Sequence, residues 1–142
     1  MANPDIAGLS NIYGKTVYDT DIANTAASLV SNATSSGKIL KINSLIIANI
    51  DGTNEAFVTV TLRNTSATVL STIAQTVSVP ADATLVVISK DTSIYLEENM
   101  AIYVAASVAG DLSATCSYEE ISWLWDIILE MEDWLALEQL KK

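Results

Sequence analysis

Asp19 and Asp21 stand two residues apart, a spacing at which a loop can offer two carboxylates to calcium. No Asp-x-Asp-x-Asp-Gly run and no distal Glu complete such a loop, so an exposed acidic turn is the plainer reading. Glu97-Glu98 and Glu119-Glu120 are adjacent carboxylates. Neighbours on a strand point to opposite faces, so neither pair forms a ready acid/base dyad, and both read as solvated turn or strand-end charges. Cys116 shares parity with Ala114 and Tyr118, on the apolar side of its run. Nothing cationic lies near it in sequence to lower its pKa, so it reads as a small buried thiol rather than a nucleophile. Gly8, Gly14, Gly37, Gly52 and Gly110 are isolated turn glycines, with no phosphate-cradling cluster. The chain contains no histidine, which removes Ser-His-Asp and Cys-His catalysis and imidazole ligation of zinc. The expectation is a protein without catalytic residues, cofactor or metal.

Charge and composition narrow the class further. Seven basic and seventeen acidic residues give a formal net charge of −10 over 142 residues. Such a surface repels phosphate backbones, and Lys15, Lys38, Lys41, Arg63 and Lys90 are scattered, so nucleic acid is not an expected partner. Half the residues are apolar, with five Gly and two Pro, which fits a folded core rather than disorder. The length is that of one domain. A single Cys gives no internal disulfide, so nothing signals an oxidising compartment. The start, Met1-Ala-Asn-Pro-Asp-Ile, lacks the positive and apolar regions of a secretory signal, so the expected site of synthesis and assembly is a cytoplasm.

The elements that would position these residues are strands. Lys38 to Ile50 is a long apolar-rich run closed by the turn dipeptide Asp51-Gly52. Glu55 to Asn64 alternates cleanly, with Ala56, Val58, Val60 and Leu62 on one face and Phe57, Thr59, Thr61 and Arg63 on the other. Further runs are Thr68–Val79, Thr84–Ser89, Ser93–Leu96, Ala101–Val108 and Leu112–Ile121, with shorter candidates at Thr16–Tyr18 and Ala26–Val30. Pro80-Ala-Asp, Lys90-Asp91, Glu97-Glu98-Asn99 and Ala109-Gly110-Asp111 separate them as turns. Short Val-, Ile- and Thr-rich strands at this spacing predict an all-β antiparallel sandwich or jelly roll over residues 1–121. No fixed-period repeat points to a solenoid. Thr- and Ala-rich outer faces pack well against copies of themselves, which favours a homo-oligomer.

Residues 122–142 obey a different period. At about 100° per residue, Trp123, Leu124, Ile127, Ile128, Met131, Trp134 and Leu135 form one apolar stripe, the predicted protein-docking residues. Asp126, Glu130 and Asp133 lie largely opposite, Ser122 is the candidate N-cap, and Lys141-Lys142 suit the helix C-terminus. A C-terminal amphipathic helix roughly 30 Å long is expected. Burying the stripe would contribute on the order of 10–20 kcal/mol gross, before ordering entropy is subtracted. Five carboxylates within the segment, each costing about 2–3 kcal/mol near a bilayer centre, argue against a membrane span. Interfacial helices carry Lys and Arg where this one carries acids, so the expected partner is protein.

The stretch Val79-Pro-Ala-Asp-Ala-Thr-Leu-Val-Val-Ile-Ser-Lys-Asp-Thr-Ser-Ile-Tyr-Leu-Glu-Glu-Asn-Met100 resembles a pattern in small virion proteins of tailed phages. Lys41-Ile-Asn-Ser-Leu-Ile-Ile-Ala-Asn-Ile-Asp-Gly-Thr-Asn54 and Phe57-Val-Thr-Val-Thr-Leu62 look like that family's central strands. Ala105-Ala-Ser-Val-Ala-Gly-Asp-Leu112 and Ser117-Tyr-Glu-Glu-Ile-Ser122 look like its end. The resemblance is to β-sandwich proteins of T4-like cyanophages and their marine relatives, and covers roughly residues 1–122. It implies a non-enzymatic virion subunit, self-associating as a trimer, that decorates or cements a capsid or serves a neck, tail or fibre. The expected partners are copies of itself and other virion proteins. The segment after Ser122 departs from the pattern, as a native docking extension or an appended designed helix. The alternative class is a free-standing carbohydrate-binding or adhesin-like sandwich. Such modules show several exposed body aromatics, whereas all three Trp of this chain lie in the tail and five Tyr are spread through the body.

Overall fold

The computed structural model describes residues 11–122, which form nine strands: β1 Asn11–Asp19, β2 Ala27–Asn32, β3 Lys38–Asn49, β4 Ala56–Arg63, β5 Val69–Val79, β6 Thr84–Ile88, β7 Ile94–Leu96, β8 Met100–Ala106 and β9 Leu112–Ser122. They pair antiparallel in two sheets. One has the order β1-β9-β3-β6, with β7 also paired to β3, and the other β2-β8-β4-β5. The all-β expectation therefore holds for the described residues. The expected C-terminal helix lies outside them, apart from Ser122, which ends β9 opposite Asn11 and Lys38. A helix N-cap is itself extended, so strand end and N-cap are compatible roles for Ser122.

The core is the inner face of each sheet. In β4, Ala56, Val58 and Val60 are fully buried, as their period of two requires. In β9, Leu112, Ala114 and Cys116 take the same side. In β3 the register shifts between Ile42 and Ser44, so one extra residue resets the alternation. Leu40 and Ile42 before the shift, and Leu45 and Ile47 after it, consequently all join the core cluster. That bulge is why Lys38–Ile50 reads as a continuous apolar run instead of an alternating one.

Strand β1 is the largest departure from the sequence reading, with nine residues where Thr16–Tyr18 were expected. Its side chains are mostly exposed, so it has little hydrophobic period to detect. Regular pairing with β9 over its whole length defines it. The other sheet edges are irregular. β2 and β5 carry register shifts, and a 3₁₀ turn at Lys90–Thr92 interrupts the edge shared by β6 and β7. Irregular edges resist pairing with foreign strands. Within β5, Thr76 has φ of 49°, a conformation that a β-branched residue rarely takes.

Candidate functional site

At one end of the sandwich, a cleft of about 260 Å³ opens between the sheets, lined by Lys15, Ser31, Asn32, Ser36, Lys38 and Glu120 among others. The order β1-β9-β3 places Lys15 and Lys38 on either side of Glu120 on the central strand of the three. Both ammonium groups form ion pairs with that carboxylate. Burial alone would raise the Glu120 pKa, but hydrogen bonds from Lys15 and Lys38 outweigh it and hold the carboxyl below its ordinary value. The Glu120 hydrogen bond in turn raises Lys15 above its ordinary value.

Glu120 is thus not the solvated strand-end charge that its sequence neighbourhood predicts, since it is only 7% exposed. Sequence reasoning missed the cluster because the two lysines are distant along the chain and only strand order joins them. A carboxylate held ionised by two cations is a poor proton donor at neutral pH. The cluster contains neither nucleophile nor imidazole, and it serves as a latch across three strands. Beside it, the buried Asn32 donates to the Lys38 and Leu96 carbonyls at 2.8 and 3.0 Å, while Ser36 Oγ donates to Asn32 Oδ1 at 2.6 Å.

Three of the other carboxylates singled out in the sequence, Asp19, Asp21 and Glu98, accept backbone hydrogen bonds. Asp19 accepts the Asp21 amide at 3.0 Å, and Asp21 accepts the Gly110 amide at 2.6 Å, forming a loop brace. Glu98 accepts the Gly37 amide at 3.0 Å. Glu119 takes the outer face of its sheet opposite Lys41. Cys116 is buried, and burial pushes its thiol up to about 11. Among the described residues, no group of three or more His, Cys, Asp or Glu gathers as for a metal ion, and no helix is long and apolar enough to cross a membrane. The predicted docking residues Trp123, Leu124, Ile127, Ile128, Met131, Trp134 and Leu135 lie outside the described residues.

The outer face of the β1-β9-β3-β6 sheet carries two apolar rows. In one, Tyr18, Thr115, Ile46 and Val86 are successive cross-strand partners spanning four strands. Its ends are open to solvent, with Tyr18 70% and Val86 58% exposed. In the other, Ile12, Ile121 and Ile39 are partners on β1, β9 and β3, beside the end of β9. Such rows were not readable from the sequence, because each strand supplies only one member.

No family model matches the chain, and no curated protein matches it. Among solved structures, it is similar to a chain from Bacillus endospore appendages, described as a novel family of disulfide-linked pili. The two share 15% identity, the alignment covers 86% of this chain and 99% of that one, and the TM-score is 0.45.

Proposed function

We propose that this protein is a non-enzymatic structural subunit that associates with copies of itself, of the kind found in tailed-phage virions. The observation that carries the reading is the Tyr18–Thr115–Ile46–Val86 row. Single exposed apolar side chains are ordinary, but a row crossing a whole sheet is a ready contact for a second flat face. The regular β1 edge borders the same face. Counting β6 and β7 as one interrupted strand, the orders β1-β9-β3-β6 and β2-β8-β4-β5 fit a jelly roll, an architecture used in viral capsids. The trimer and the virion location rest on the sequence resemblance, and the apolar stripe of residues 123–142 supplies a further docking element.

Light scattering of the full-length protein at micromolar concentration tests self-association. The expected result is a discrete oligomer that Tyr18→Asp with Val86→Asp dissociates while the β-sheet circular dichroism is retained. A wild-type monomer, or an oligomer indifferent to the double change, overturns the reading. A sugar-binding reading draws on Tyr18 and Tyr95, both on exposed strands of this sheet. Glycan-array binding by a monomer would favour it instead.

A further inference from the structure

We infer that the Ile12–Ile121–Ile39 row is the seat of the chain's own C-terminal segment, residues 123–142. The inference rests on reading that segment as a docking element and names its partner, the outer face of the same subunit. Pairing with Ile12 and Ile39 places Ile121 on the face opposite Cys116 and Leu112. That is the outer face, since Cys116 and Leu112 belong to the core cluster while Ile39 and Ile121 do not.

A residue there faces away from the second sheet and should be open. The row at the far end of this face is open at Tyr18 and Val86. Ile39 and Ile121, by contrast, are 5% and 2% exposed. Two isoleucines sealed on an outer face mark a covered surface.

The occupant follows from chain continuity and chemistry. Ser122, next to Ile121, is the last described residue, so the segment leaves from the row itself. It carries Trp123, Leu124, Ile127, Ile128, Met131 and Trp134, which need an apolar seat. Residues 1–10 also adjoin this end, but they offer only Met1, Ile6 and Leu9 as large apolar side chains. A covalently joined segment also docks at high effective concentration, which a free partner lacks.

All three tryptophans lie in the segment, so their emission in the full-length protein reports on it alone. The expected wild-type result is blue-shifted emission, protected from iodide and unchanged on dilution through dissociation of any oligomer. Ile39→Asp and Ile121→Asp should shift emission to the red and remove the protection, and Val86→Asp on the far row should not. Ile12, 58% exposed at the β1 end of the row, borders the covered pair, so Ile12→Asp should shift emission less than Ile39→Asp or Ile121→Asp. Gly14 is on the neighbouring rung, and a Cβ there meets nothing within 4 Å. Bimane on Gly14→Cys should therefore be quenched by the tryptophans, while buried Cys116 stays unlabelled.

Solvated tryptophans in the wild type overturn the proposal. So does protection lost on dilution, which assigns the seat to a second copy, and so does indifference to Ile39→Asp and Ile121→Asp with unquenched bimane. Light scattering on the same samples separates the two readings. Protected tryptophans in a monomer sink only self-association, and solvated tryptophans in an oligomer sink only this proposal.

Discussion

Asn49, at the end of β3, donates its side-chain amide across the sandwich to the Val79 carbonyl at the end of β5, 2.8 Å away. The same nitrogen donates to the Asn54 carbonyl at 2.9 Å, and Asn49 Oδ1 accepts the Asp51 amide at 2.9 Å. Asn32 on β2 makes the reciprocal bridge, from the second sheet to the Lys38 and Leu96 carbonyls of the first. Two buried asparagines thus pin the sheets together through backbone carbonyls.

Replacing Asn49 by Ala should cost about 2–4 kcal/mol, because a buried carbonyl loses its only described side-chain donor and gains no solvent. For a domain of this size that corresponds to a melting temperature lower by roughly 7–15 °C. Asn49→Asp keeps the acceptor for Asp51 but loses both donations, so it should be no milder. Thermal melts of the two variants check this. A drop of under about 0.5 kcal/mol, the ordinary effect of a neutral surface change, would refute the bridge.

The Glu120 latch predicts an acid-side dependence of stability. Its folded pKa lies below the ordinary 4.5, so the stabilisation is fully present above 4.5 and is lost as pH falls through the folded value. Lys15 works in the opposite sense: its folded pKa lies above 10.5, so its contribution persists below 10.5 and is lost only as pH climbs past the folded value. Glu120→Gln should cost about 1–2 kcal/mol at neutral pH, a modest figure because both lysines are about half exposed. The gap from wild type should close as pH falls well below 4.5. Urea titrations at several pH values decide it, and a pH-independent gap counts against the latch.

Thr76 predicts a gain. A β-branched residue at φ of 49° is strained by about 1–2 kcal/mol, and Asn tolerates that region better. Thr76→Asn should therefore raise stability by about 0.5–1 kcal/mol. A denaturant midpoint at or below that of wild type would show that the Thr76 hydroxyl, which accepts from Gln75 Nε2 at 3.2 Å, matters more than the backbone strain.

Strand content was legible wherever one face is buried and the other wet. Ala56, Val58 and Val60 announce β4 because burial on alternate residues leaves a period of two. β3 was legible as a strand but not in its phase, since the bulge at Asn43 resets the alternation within one run. Sequence by itself determined the all-β class, the turns and the buried Cys116, because each depends on residue type and local spacing. Tertiary structure alone decided the full extent of β1, the Lys15–Glu120–Lys38 latch, the asparagine bridges and the two apolar rows. Each of these is made by side chains or backbone groups far apart along the chain, and strand order and register, set by burial of the two inner faces together, bring them into contact.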